Sequence, residues 1–260
     1  DRNRTSPFAF TGNKFEFRML GSSASVADPN IVLNTIMAEE LRKFADALEK
    51  AKNFDEALHN LVAEVFTQHQ RILFEGNSYS AEWKEEAARR GLSNLSSTAT
   101  CLPAMVSEKN IDLVVRHGIY TEPEFRARYA IYLDSYNKTV NIEAKTMMDM
   151  VVRQILPSAL RYTHELCNTL TVKKSLNLSC EAESALVQNM SQQTDALYAS
   201  VNRMRAILSS LPRDAVEAAN YFHDVVIPCM NEMRCAADAL EAMTDKSFWP
   251  YPTYSDLLFY

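Results

Sequence analysis

Glu16 stands between Lys14 and Arg18 in the run GNKFEFR, residues 12 to 18, with two further cations, Arg2 and Arg4, close ahead of it. Successive side chains of an extended strand point to opposite faces, so Phe15 and Phe17 share one face and Lys14, Glu16 and Arg18 the other. Two chemistries fit that pattern. In the first, arginine forks take phosphate or carboxylate oxygens two at a time, while a carboxylate among them holds a Mg2+ or Mn2+ that itself carries phosphate oxygens. In the second, the face is solvated and Lys14 and Arg18 merely neutralise Glu16.

Elsewhere the residue types offer little. The chain of 260 residues has only 5 glycines and no GxGxxG or Walker-type run, which argues against a nucleotide-binding βαβ domain. His164 and Cys167 share a helix face, but two ligands are not a metal site, and His59 and His69 fall on different faces. Met147, Met148, Met150, Met190, Met204, Met230 and Met233 read as bundle core, and Glu85, Glu86, Glu181 and Glu183 as solvated charges. The net charge is −6 and the basic residues are scattered, so there is no footprint for nucleic acid. No apolar run is long enough to cross a bilayer. The 5 cysteines form no CxxC pair, which suits a reducing, cytoplasmic setting.

The elements that position the charged strand are unusual. The chain opens Asp1-Arg2-Asn3-Arg4, without Met, and leads through PFAF, read as a loop, into a strand over 13–20. A lone strand leaves its own edges unsatisfied, so residues 1–20 read as the last piece of a sheet whose other strands are absent. Beyond it everything reads as helix. Apolar spacing predicts helices from Ile31 to Lys52, Asp55 to Phe74 and Ala81 to Arg90, an irregular stretch over 92–108, and a short helix from Ile111 to His117 capped by Gly118. From Glu122 to Lys174 apolar residues recur every three or four positions, a helix of roughly 75 Å, with a kink expected near Pro157. Two more helices follow over 180–211 and 213–243, the second bent at Pro228. These three make an antiparallel bundle, and the tail WPYPTYSDLL is expected to pack back on it. The fold class is mainly α: the remnant of an α+β domain (one strand, a loop and helices), which the resemblance given next implies is catalytic, followed by a long antiparallel helical bundle.

The residues that carry chemistry also carry a resemblance. Asn3-Arg4-Thr5-Ser6, then Lys14-Phe15-Glu16-Phe17-Arg18, then Ala27-Asp28-Pro29-Asn30 entering a helix, resembles the end of the glutamine synthetase catalytic domain. NRTSPFAFTGNKFEFR is similar to the long type III form in particular. The runs YNKTVNIEA and QILP, and the aromatic tail, are similar to that type's helical C-terminal extension. The resemblance implies an ATP-dependent ligase that makes glutamine from glutamate and ammonia through γ-glutamyl phosphate, with Mg2+ or Mn2+. By matched position it implies that Glu16 ligates the cation beside ATP, that Arg18 contacts glutamate and the transferring phosphoryl group, and that Arg4, with Lys14 nearby, contacts ATP phosphates. Two departures stand out: TSPFAF has no arginine where many members carry one, and Lys14 stands where an arginine is common.

The resemblance divides the chain into the end of the catalytic domain (1–75), a connector (76–121) and a bundle extension with an aromatic tail (122–260). It implies a homo-oligomer of stacked hexameric rings with no nucleic acid and no membrane, and an isolated fragment without activity. A second reading from another class is a non-enzymatic helical scaffold or oligomerisation module.

Overall fold

The computed structural model of the chain describes residues 8–10, 15–17, 21, 24–74, 76–77, 80–252 and 254–258. The charged strand is not alone. Strand β1 (Phe8–Phe10) pairs antiparallel with β2 (Phe15–Phe17), setting Phe8 opposite Phe17, Ala9 opposite Glu16 and Phe10 opposite Phe15. Phe8–Phe10, part of the stretch read as a loop, is thus a strand. FAF alternates as FEF does, and each supplies the other's edge with hydrogen-bond partners. The rest of the strand expected over 13–20 lies outside the described residues.

The helices are α1 (Ala27–Leu48), α2 (Phe54–Gln68), α3 (Ala81–Arg89), α4 (Thr98–Met105), α5 (Glu108–Arg116), α6 (Glu122–Met150), α7 (Leu156–Ser175), α8 (Glu181–Ser209), α9 (Ala215–Tyr221), α10 (Ile227–Met243) and α11 (Tyr254–Leu258). The chain is mainly α, as its sequence implies. It divides into two compact units, one of residues 1–96 with 103–127 and one of 97–102 with 128–260.

In the first unit, α1 begins earlier than Ile31, because Asp28 and Pro29 lie in its first turn, where an acid and a residue without an N–H are favoured. Asn53 caps α2 by accepting from the Glu56 amide at 3.4 Å. That helix ends at Gln68, and Gln70–Ile72 forms a 3₁₀ turn where a continuous helix was expected. Helix α5 stops through backbone bonds from Gly118 to Val115 and from Ile119 to Val114, with Gly118 at φ 64°. Ile111, Val114 and Phe125 form a small core there.

The stretch over 92–108, read as irregular, contains α4. Ser97 and Thr100 start it reciprocally: each side-chain oxygen accepts from the other's amide at 3.2 Å. Pro103 sits inside the helix and disguises it in sequence.

In the second unit a π-turn precedes each of the two prolines at which a kink was expected. Val151–Ile155 and Phe222–Val226 each adopt π geometry, and each is followed by a helix whose second residue is Pro157 or Pro228. Proline cannot donate to the carbonyl four residues back, and its ring collides with that carbonyl. Opening the preceding turn to i→i+5 bonds, Leu156 to Val151 and Ile227 to Phe222, relieves both problems.

Helix α8 packs against α7 and α10. The turn between α7 and α8 has Asn177 at φ 52°, a conformation asparagine tolerates. Met190, Leu197, Val201, Met204, Val226, Met233 and Leu240 are fully buried in the bundle. Tail residues Trp249 and Tyr251 pack on this core, and buried Ser158 donates its hydroxyl to the Phe248 carbonyl. The tail folds back as its aromatic content requires, although Leu257 and Leu258 of α11 stay exposed.

Candidate functional site

Of the four residues singled out for chemistry, Glu16 is described. It is half-buried at the centre of β2, across from Ala9 on β1. A position in the middle of a paired strand holds a carboxylate more rigidly than a loop would. Arg4, Lys14 and Arg18 lie outside the described residues. Among the described residues no cluster of three or more His, Cys, Asp or Glu side chains could hold a metal ion. The His164 ring nitrogen meets the Asn168 side-chain nitrogen at 3.1 Å.

A charged cluster that the sequence did not flag lies in the first unit. Glu39 on α1 is only 6% exposed. Arg42, one turn on, donates Nε to Oε2 and Nη2 to Oε1, each at 3.1 Å. Arg116 of α5 donates Nη1 to Oε1 at 2.6 Å, and His117 Nε2 lies 2.8 Å from Oε2. The Arg42 hydrogen bonds, then that of His117, hold the Glu39 carboxyl at a pKa of about 2 against the opposing effect of burial, and the Arg116 charge adds to this.

Both oxygens of Glu39 are already occupied, so this carboxylate has no lone pairs left for a cation and is too acidic to act as a base near neutrality. Its chemistry is that of a latch between α1 and α5. Three smaller ion pairs give partners to Glu86 and Glu183, two of the four carboxylates read as solvated charges. Glu86 lies within 2.7 Å of Arg89 and 2.5 Å of Arg90, and Arg90 in turn donates to the Leu73 carbonyl. Glu183 pairs with Lys173 at 2.5 Å across the α7–α8 turn. The spacing of Glu86 from Arg90, four residues, was legible. The meeting of Glu39 with residues nearly eighty positions away was not.

Comparison with known proteins shows what these elements are similar to. Residues 57–174 match the family model described as the glutamine synthetase C-terminal domain. The whole chain aligns with curated relatives: it is 36% identical to the type-3 glutamine synthetase of Dictyostelium discoideum over 286 residues. It is also 35% identical over 266 residues to the glutamine synthetase of Butyrivibrio fibrisolvens, and 34% identical over 271 residues to that of Bacteroides fragilis. In each case 100% of this chain is covered, and it spans 37–38% of the relative's length. Among the described residues no helix is long and apolar enough to cross a membrane.

Proposed function

We propose that this chain contributes one wall of the active site, and an assembly module, to an ATP-dependent ligase that joins ammonia to the γ-carboxylate of glutamate. The observation that carries this reading is similarity to three glutamine synthetases along the whole chain, the Glu16 strand included. The reaction runs through transfer of the ATP γ-phosphoryl group to glutamate, then displacement of phosphate by ammonia. Arg18 would bind glutamate and the transferring phosphoryl group, and Arg4 and Lys14 the ATP phosphates. Fixed cations aimed at oxygens that gain charge are the main source of catalysis in phosphoryl transfer.

Glu16 is a hard oxygen donor of the kind Mg2+ and Mn2+ take, and it would supply one ligand of a site completed by residues outside this chain. When bound, such a cation neutralises phosphate charge. Residues 1–75 would close the catalytic domain, 76–121 connect it, and 122–260 extend it as a bundle through which subunits of a cytoplasmic, ring-stacked homo-oligomer touch. The isolated chain would be inactive.

The test is glutamine formation from glutamate, ammonia and Mg-ATP by the full-length protein. Loss of turnover in Glu16→Ala and Arg18→Ala with the oligomer intact supports the reading. Full turnover in both removes the assigned roles, whereas a wild-type protein that forms no glutamine favours the non-enzymatic helical scaffold.

A further inference from the structure

Helix α1 follows the Glu16 strand along the chain, and its side chains show how it is held. Of its residues only Thr35 and Glu39 are buried. Thr35 donates its hydroxyl to the Ile31 carbonyl at 2.7 Å, so that hydroxyl is spent within α1. Glu39 reaches a second element. Arg116 and His117 at the end of α5 meet its two oxygens at 2.6 and 2.8 Å.

An ion cluster of this kind is a poor way to gain stability, because apolar side chains of the same volume hold two helices at least as well. What it supplies is direction. Hydrogen bonds to both carboxylate oxygens fix the rotation of α1 about its axis and its angle to α5, whereas an apolar contact lets the helices slide.

Both ends of the tie are anchored within the first unit. Beyond Arg116 the chain turns at Gly118 and enters α6, whose Phe125 packs on Ile111 and Val114 of α5. Ahead of Glu39, residues 18–26 join β2 to α1. There the Ala24 amide donates to the Gly21 carbonyl at 3.4 Å, and the Ser25 hydroxyl accepts from the Ala27 amide at 3.1 Å. Glu39 lies roughly 18 Å along α1 from Ala27, at 1.5 Å per residue. A small change of angle at the latch therefore displaces the end of α1 that meets this connection.

We propose that Glu39 and Arg116 are positioning residues for the Glu16 strand: by holding α1 against α5 they set where the connection to β2 ends and hence where the Glu16 carboxylate stands. The effect on turnover rests on the ligase reading, but the placement of the strand can be read without activity.

The experiment compares two arginines in the full-length protein. Arg42 and Arg116 hold the same carboxylate and their side chains are similarly exposed, at 43% and 49%, but only Arg116 reaches it from α5. Arg116→Leu should raise the Mg2+ concentration at half-maximal glutamine formation by about threefold or more, and speed amide exchange in β1 and β2 by a similar factor. Arg42→Leu should change neither. Arg116→Lys should restore both, because Arg116 donates through a single nitrogen that an ammonium can replace. Where Arg116→Leu does not fold, Arg116→Gln, a shorter donor, is read in its place. Equal effects from the two arginines, no effect of Arg116→Leu, or a lysine that restores nothing each overturn the proposal. A wild-type protein that forms no glutamine removes the ligase reading, and exchange in β1 and β2 then decides the placement alone.

Discussion

Arg116, at the end of α5, places its guanidinium Nη1 2.6 Å from Oε1 of Glu39 on α1, 77 residues earlier in the chain. That contact and its His117 neighbour tie two helices together through one nearly buried carboxylate. Breaking a pair of this kind leaves a charge without its partners, which costs more than the pair itself contributes.

Glu39→Gln should therefore lower the thermal midpoint of the chain, and the loss should depend on pH. The folded carboxyl titrates near 2 and an ordinary glutamate at 4.5. The stabilisation is thus fully present above 4.5 and disappears as pH falls toward 2. Melting curves of both proteins should diverge above pH 4.5 and converge as pH approaches 2. A gap that stays constant through that window would show that Glu39 contributes by packing alone.

Leu197 is fully buried between the helices of the bundle, and Leu197→Ala should destabilise it by about 2–5 kcal/mol through lost transfer energy and the cavity left behind. Amide exchange followed by mass spectrometry should report faster exchange in α8 and α10. Unchanged protection there would mean that the bundle owes little to its core.

The thiols should separate by burial. Cys101 and Cys235 are exposed and Cys229 is buried, its thiol pKa raised chiefly by desolvation. A limiting dose of iodoacetamide should label the first two and spare Cys229 until the bundle unfolds. Early labelling of Cys229 would show that α10 opens locally.

Arg18→Lys gives a graded test of the proposed ligase wall. It keeps the charge but loses the two-pronged guanidinium, so turnover by the full-length protein should fall by about tenfold or more, with Glu16→Ala costing about a hundredfold or more. Equal turnover in wild type and Arg18→Lys would show that position 18 supplies charge without geometry.

Deleting residues 122–243 should lower the number of subunits per assembly, counted by native mass spectrometry, if the bundle joins subunits. An unchanged subunit number would assign assembly to the remainder of the protein.

Much of this architecture was readable from local signals. The three long helices, the interruptions ahead of Pro157 and Pro228 and the packing of Trp249 and Tyr251 all follow from apolar spacing, proline chemistry and aromatic content. Helix α4 escaped because Ser, Thr and Pro103 are loop formers by propensity, and only the reciprocal Ser97–Thr100 cap reveals the start of a helix. Strand β1 escaped because three residues are too few for alternation to register, and its identity depends on pairing with Phe15–Phe17. The Glu39 latch escaped for a deeper reason. Arg42 lies at a readable spacing of three residues, but Arg116 and His117 reach Glu39 through the tertiary fold, and no period in the sequence encodes that distance.

The two π-turns also bear on how the chain can change length. Each contains one residue more than an α-helix needs to keep the same faces aligned on either side. Losing a single residue within 151–155 or 222–226 would therefore leave both flanking helices presenting the same side chains to the core. The same loss a few turns away would rotate everything beyond it by about 100° and turn polar side chains inward. The bundle thus has two positions, each just ahead of a proline, where losing one residue keeps the core-facing side chains in place and costs only the return of that proline to an α-turn.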